Sequence, residues 1–259
     1  LLSFLPDSTI GIVNFENRPS EESISYPDVR SEEAYMSYVP RENLLKVSSL
    51  PERKLNFFGG DDKLSGTIAI QPEGMSGRGL MLFENASLVS DHFDYTRWEI
   101  YAKNSDFSLK GTGEGDNSLA FNTRNVSSDI SFKDRKGVFH SNVGESEVIF
   151  PLNQFKCKMD KFTWFMDDFE IAMELQQGKN LSIDAGIDLV GPNFYSTNPK
   201  QDTLEFRVPK ATFDIKEKAI YCSDVQFLDI ADARIYPDSM KLNIRKKAKI
   251  DVLKNARIV

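Results

Sequence analysis

Cysteine and histidine are scarce in this chain, which has two of each among 259 residues. Cys157 and Cys222 lie 65 residues apart, and neither belongs to a CxxC pair. This pattern excludes cysteine-rich zinc motifs and disulfide-dense scaffolds. Two free thiols in a hydrophobic core are the simplest interpretation, and a single disulfide formed in an oxidising compartment is the alternative.

The common catalytic signatures are also missing: the sequence has no GxSxG, HExxH, P-loop or dinucleotide-binding fingerprint. The glycine-rich segment 111–115 is followed by Asn117 rather than by Lys-Ser/Thr, so we interpret it as a turn. His92 and His140 are 48 residues apart and are interpreted as two surface imidazoles rather than a joint site. We therefore expect no enzymatic activity, no metal and no cofactor.

No apolar run approaches the ~20 residues that a transmembrane helix needs. Acidic residues outnumber basic ones by 39 to 32, and the resulting net charge of −7 disfavours a nucleic-acid partner. Aromatic residues, by contrast, are plentiful, because 19 Phe and 8 Tyr are too many for a disordered chain. The length suits one large all-β domain or two ordinary ones.

Short apolar segments separated by turn residues recur every 8–12 residues from about residue 63, a spacing typical of all-β proteins. Segment 158–175 fits a helical stripe as well as two strands around Asp167-Asp168, and its aromatic content favours strands. Over residues 1–60 proline recurs about every ten residues, so we interpret this part as an irregular docking or edge segment with short strands at 10–15 and 44–47. Residues 61–259 then form the main module, which divides into candidate halves 61–157 and 158–259.

A four-residue pattern of a polar residue, Ala, any residue and a large apolar residue recurs through the chain. It occurs at 85–88, 210–213, 218–221, 232–235, 247–250 and 255–258. In a strand the Ala and the apolar residue point the same way, so stacked short strands of this kind would bury a continuous core. A longer unit beginning at Ile70–Met75 returns 165 residues later at Ile235–Met240. The predicted fold is an elongated stacked-strand module, solenoid or taco-like, and a β-sandwich is the alternative.

One of these strands is predicted to run from Lys241 to Val252, with alternate residues facing the core and Lys246 marking a bend or bulge. The segment 241–257 holds seven Lys and Arg against one Asp, which leaves the rest of the chain near −13. The outward face of this strand is a candidate surface for an anionic partner, formed by Lys241, Arg245, Lys247 and Lys249. The alternative is a solvated strand whose charges discourage edge aggregation.

Trp164 lies among carboxylates, and this group is the candidate glycan platform. Asp160, Asp167 and Asp168 surround the tryptophan, and Glu170 follows. Paired carboxylates beside an aromatic ring could bind or cleave a sugar chain. The alternative is a solvated strand edge, because carboxylates are common at turns.

Three segments, Gly191–Phe206, Val225–Pro237 and Leu253–Ile258, resemble segments of very large, repeat-rich predicted envelope proteins of Bacteroidetes-type bacteria. Gly66–Leu88 and Asn125–Phe150 resemble them too, so the resemblance covers most of residues 60–259. The repeated Ala-x-apolar rungs are similar to the stacked-strand modules of the organic-solvent-tolerance and lipopolysaccharide-transport families. The resemblance implies an extended β scaffold in the periplasm or at the outer membrane, and it brings no catalytic residue with it.

The expected function is therefore a non-enzymatic structural module of a bacterial cell-envelope protein, with a lipid-carrying bridge as a variant of that role. The strand-like ending at residues 255–259 fits a piece of a longer protein. The expected partners are other modules of the same parent chain or other envelope proteins, with lipid or glycan as candidate ligands. The alternative function is a glycan-binding or glycan-cleaving β protein.

Overall fold

The computed structural model describes residues 9–16, 26–111, 118–144, 146–174, 191–201, 204–230 and 232–259. These residues form twenty-two strands and three short 3-10 segments, Pro40–Glu42, Pro199–Gln201 and Lys246–Ala248. No α-helix occurs in this described part of the chain, and every strand pairing defined in register is antiparallel. The prediction of an all-β, stacked-strand fold is confirmed, and the described part of segment 158–175, residues 158–174, forms strands rather than a helix.

The chain divides into two compact units. The first comprises Leu1–Phe107 and Ser127–Asp134, and the second comprises Ser108–Val126 and Arg135–Val259. The boundaries expected near residues 60 and 157 fall inside these units. The strands at residues 44–49 and 55–57 pair with the strand that follows residue 61, and the strand at residues 29–39 pairs with both of them. This part of the first sixty residues is therefore an integral part of a sheet.

The first unit is a meander of antiparallel strands. Its strands are β1 (Thr9–Phe15), β2 (Val29–Val39), β3 (Leu44–Ser49), β4 (Leu55–Phe57), β5 (Asp62–Gln71), β6 (Gly74–Leu82) and β7 (Ala86–Tyr95). Strand β2 pairs with β1 on one side and with β3 and β4 on the other, and the order continues through β5, β6 and β7. Two further strands, β8 (Glu99–Lys110) and β9 (Leu119–Ser131), have residues in both units.

Glycine allows two strands of the first unit to approach closely. Gly66 of β5 lies opposite Gly79 of β6, which has a φ of +129° beside a bulge in β6. A Cβ added to Gly66 would stand 2.0 Å from the carbonyl oxygen of Arg78. Only glycine therefore fits at this crossing.

The second unit contains the remaining strands. They are β10 (Lys136–Ser141), β11 (Ser146–Phe150), β12 (Phe155–Met159), β13 (Lys161–Phe165), β14 (Glu170–Glu174), β15 (Asn193–Ser196), β16 (Glu205–Arg207), β17 (Lys210–Asp214), β18 (Ala219–Ser223), β19 (Leu228–Ile230), β20 (Ala233–Tyr236), β21 (Lys241–Ile244) and β22 (Arg257–Ile258).

Most of these strands belong to two ladders. Ladder A has the order β10–β13–β14–β17–β18–β21, and ladder B has the order β9–β11–β12–β15–β16. The chain makes a hairpin in one ladder, crosses to the other, makes a hairpin there and returns. Strands β19, β20 and β22 form a small separate sheet.

Phenylalanine fills the space between ladders A and B. Phe121 of ladder B has its ring centroid 5.1 Å from that of Phe162 in ladder A, and 5.4 Å from that of Phe150 within ladder B. Phe150 in turn contacts Phe213 of ladder A at 5.2 Å. Residues alternate between the two faces of a strand, so only every second position faces this core and needs an apolar side chain such as phenylalanine.

The Ala-x-apolar pattern predicts the buried residues correctly in only some of the segments where it occurs. At 85–88 and at 210–213 both the Ala and the apolar residue are buried, as predicted. At 218–221, however, the residues that pair with the buried Ala211 and Phe213 of β17 are Cys222 and Ile220, and not the Ala and the apolar residue of the pattern. Segment 247–250 is not a strand at all. The two Pro-containing matches also differ, because 72–73 joins the paired strands β5 and β6, whereas 237–240 joins β20 to β21 of another sheet.

The strand predicted over Lys241–Val252 is wrong beyond Ile244. The chain turns at 245–249, where Lys247 has a left-handed backbone with a φ of 57°, and Ile250 then folds back to bridge Ile244. The bend foreseen at Lys246 is real, but it reverses the chain instead of bulging it. As a result Val252, expected in the core, is 86% exposed.

Candidate functional site: the outer face of ladder A

Trp164 is buried, which overturns the proposed glycan platform. Alternation along β13 turns Phe162 and Trp164 inward, and the indole is only 6% exposed. Trp164 lies opposite Gly137 of β10. A ring enclosed in the core presents no face on which a sugar could stack, so the platform prediction is wrong.

One carboxylate of that prediction, Asp160, lies apart from the others. Asp160 precedes β13, whereas Asp167 and Asp168 lie in the turn after it, about 17 Å away at the usual rise per residue of a strand. Asp167 accepts a hydrogen bond from Nε of Arg135 at 2.9 Å. Glycosidase carboxylates act as a pair across one bond, and Asp160 is too far from Asp167 and Asp168 to form such a pair with either of them.

The predicted basic face is divided by the reversal after β21. Lys241 begins β21, while Lys247 and Lys249 lie on the turn beyond it. The guanidinium of Arg245 donates to the carboxylate of Asp251, to that of Glu217 and to the hydroxyl of Tyr221. Its charge is therefore compensated within the protein, and the four residues do not form the single strand-borne surface that alternation predicted.

This ion-pair cluster fixes the reversed segment to ladder A. Hydrogen bonds from Arg245 lower the pKa of Asp251, and hydrogen bonds from Tyr221 and Arg245 lower that of Glu217. A lowered pKa means that the ionised carboxylates stabilise the folded state. That contribution is present at neutral pH and is lost as the pH falls through the folded-state values. Both carboxylates are well exposed, so water and salt screen their interactions strongly.

The backbone register of ladder A defines three rows of residues that run across its strands. The first row, in register, is His140, Lys161, Glu174, Lys210, Ser223 and Lys241. The middle row is Val138, Thr163, Ala172, Thr212, Tyr221 and Asn243. The third row is Lys136, Phe165, Glu170, Asp214 and Ala219. Residues directly opposite in adjacent strands share a face, so each row is a continuous line of neighbours.

The third row contains a carboxyl whose pKa is raised. Partial burial of Glu170, followed by the negative charges of Asp168 and Asp214, raises the pKa of Glu170 above its usual 4.5. The first row contains three lysines, Lys161, Lys210 and Lys241, and Glu174 lies opposite Lys210 in it. Sequence reasoning missed this row, since its members come from strands far apart in the chain. Lys161, Lys210 and Lys241 do share one local signal: each is the first residue of its strand.

Asn153 joins the turns of ladder B to the end of ladder A. Its side chain is fully buried, and Nδ2 donates to the carbonyl oxygens of Lys218 at 2.9 Å and of Ile244 at 3.2 Å. The backbone carbonyl oxygen of Asn153 accepts a hydrogen bond from the N–H of Ala248 at 2.8 Å. One polar side chain thus satisfies backbone groups of two other segments, a structural role that no motif in the sequence revealed.

Neither cysteine forms a disulfide and both are buried, as the simpler interpretation held. Cys157 belongs to ladder B and Cys222 to ladder A, and burial raises the pKa of the Cys222 thiol far above its usual value. We expect neither thiol to react with a disulfide reagent in the native protein, because reaction requires access and the thiolate form. After denaturation, two thiols per chain should react. A count of zero in denaturant would instead indicate a disulfide, and rapid reaction of the native protein would contradict the burial.

The described residues contain no group of three or more His, Cys, Asp or Glu side chains that could hold a metal ion. His92 is exposed and lies 3.1 Å from Asp94 in the first unit, whereas His140 belongs to the second unit. No helix in the described ranges is long and apolar enough to cross a membrane. Comparison with known proteins finds no matching family model, no similar curated protein and no similar solved structure.

Proposed function

We propose that this chain is a non-enzymatic structural module of a bacterial cell-envelope protein. The observation that carries the proposal is the alternation of the chain between ladders A and B. A single hairpin leaves one apolar face uncovered, and only the facing ladder and the neighbouring hairpins complete its burial. The position of each strand in such a fold is set by the strands next to it and opposite to it, and this suits a spacer or scaffold.

The packing of the second unit supports a scaffold over a lipid carrier. A carrier needs an apolar seam into which acyl chains can enter. The inward rings of Phe121, Phe150 and Phe213 are instead fully buried and in contact with one another across the ladders. The placement in the envelope rests on the sequence resemblance described above.

The first test is extraction of the gently purified protein, followed by mass spectrometry for lipid and glycan. A scaffold should carry well under one lipid per chain after purification without detergent. Stoichiometric lipid would contradict the scaffold and support the carrier variant. Fractionation of the producing bacterium, with an antibody against this module, tests its location, and recovery in the cytoplasmic fraction would refute the envelope assignment.

A further inference from the structure

Strand β1 forms an open edge of the first unit. Among the residues that the structure describes, β1 pairs with β2 alone, so one of its two edges has no strand beside it. An open edge presents unpaired backbone N–H and C=O groups, which are the groups that another strand would bind. We therefore expect the occupant of this edge to be an extended chain segment.

The side chains of β1 are uncharged and alternate regularly between the two faces of the strand. Thr9–Phe15 contains no acidic, basic or proline residue. Val13 is buried, whereas Ile12 is 80% exposed and Ile10 is 52% exposed on the opposite face. The register with β2 shifts at Ile12, but the additional residue belongs to β2, so β1 itself stays regular. Ile10 lies opposite the exposed Tyr35 of β2, which extends the apolar surface beside the edge.

Other strands with one partner in register differ from β1 in length and charge. In the described part of the chain, β16 pairs only with β15 and β19 pairs only with β20, and each is three residues long. Strand β16 contains Glu205 and Arg207, and β19 contains Asp229. Short length and charge are the common devices against pairing at exposed edges. Strand β1, with seven uncharged residues, has neither device.

We propose that β1 pairs with β1 of a second copy of this chain, antiparallel about a twofold axis centred at Ile12. This register lets all seven residues of the strand take part. The two Ile12 side chains then lie opposite each other, and Ile10 of each copy lies opposite Asn14 of the other. On the core side, Gly11 lies opposite Val13 of the other copy.

The absence of charge is what favours a second copy as the occupant. Residues directly opposite in adjacent strands interact, and like charges there are destabilising. In a twofold pair the central residue meets its own counterpart, so a charge at that position would be repelled. Ile12 is instead covered by an identical apolar side chain. A head-to-tail contact with β16 or β19 would pair only three residues and place charges beside the isoleucines.

The contact is small by the standard of stable dimers, which bury about 1,200–2,000 Å². We therefore expect a reversible dimer with a dissociation constant on the order of tens of micromolar. A twofold contact uses the open edge of both copies, so association should stop at two chains. The scaffold role does not depend on this contact, and a monomeric chain would leave that role unaffected.

The test is sedimentation velocity of the full chain at concentrations from about 5 to about 500 µM. The mean mass should rise with concentration from that of one chain, 29.4 kDa, towards that of two. Ile12→Lys should weaken dimerisation about tenfold or more, because it places two like charges opposite each other at the axis. Val89→Lys is the matched control, since Val89 is also exposed but lies on β7. It should change the dissociation constant less than twofold.

A cysteine variant tests the register of the pair. Ile12→Cys should give a disulfide-linked dimer under mild oxidation, because directly opposite side chains bring their Cβ atoms within about 4.5–5.5 Å. The native Cys157 and Cys222 are buried, so they should not compete in the folded protein. Val89→Cys should remain uncrosslinked under the same conditions.

Three results would overturn the proposal: a parent chain that stays monomeric over the whole concentration range, equal weakening by the two lysine variants, or species that grow beyond two chains. The last of these would indicate an open head-to-tail contact. Circular dichroism establishes that each variant is folded. If Ile12→Lys does not fold, the cross-linking of Ile12→Cys decides the question, and its failure to cross-link would exclude the register centred at Ile12.

Discussion

Phe121→Ala is expected to destabilise the second unit by about 3–5 kcal/mol, the range for removal of a large aromatic ring from a packed core. Phe121 contacts Phe150, Phe162 and Phe213, so its loss opens a cavity between the two ladders. Neighbouring rings have little freedom to collapse into that space, because they belong to strands held on both sides. The measurement is urea unfolding of the purified variant and the parent protein.

Tryptophan fluorescence can confine this measurement to the second unit. Trp164 is buried there, whereas Trp98 belongs to the first unit, so a Trp98→Phe background leaves Trp164 as the reporter. Phe165→Ala is the matched control, because Phe165 is next to Trp164 on β13 but faces outward. It should cost about 1 kcal/mol or less. Equal losses for the two variants would contradict the described core.

Asn153→Asp is expected to cost about 2–4 kcal/mol at pH 7, because it removes a buried donor and introduces a buried charge. The carbonyl oxygens of Lys218 and Ile244 would lose their hydrogen bonds and face a carboxylate instead. Asn153→Ala, which removes the donor without adding a charge, should cost less, about 1–3 kcal/mol.

The pH dependence separates the two causes. Burial raises the pKa of the introduced carboxyl above its unfolded value of about 4, so the charge penalty develops as the pH rises through and above that value. The difference between Asn153→Asp and the parent protein should therefore shrink as the pH is lowered from 7 to 4. The exposed Asn142→Asp is the control and should change stability by less than about 0.5 kcal/mol. A pH-independent cost for Asn153→Asp would show that the introduced group stays hydrated.

The all-β class could be predicted because it depends on local signals, namely short apolar segments, turn residues and aromatic content. The segment around Trp164 illustrates both the reach and the limit of such signals. Its strands could be predicted from the sequence. Which residues of these strands face inward, and hence whether Trp164 is buried, depends on which face of the strands packs against the opposite ladder. The burial of Trp164 is enough to exclude the predicted glycan platform.

The first row of ladder A and the role of Asn153 could not have been predicted, since both depend on register between distant strands. Lys161 and Lys241 are eighty residues apart in sequence but only four strands apart in ladder A. Conversely, Lys247 and Lys249 are close to Lys241 in sequence, yet the reversal after Ile244 removes them from its strand. The charge-rich segment thus predicted a shared basic surface for lysines that the structure places on different parts of the fold.

The alternation between ladders also constrains how such a chain can change in length. Each strand runs opposite to its neighbours, so loss of a single strand from ladder A would reverse the direction of every later strand in that ladder. Loss of one hairpin from each ladder, for example β13–β14 with β15–β16, preserves direction and crossing order alike. We therefore expect insertions and deletions among natural variants of this module to come in pairs of hairpins, with shorter changes confined to the turns.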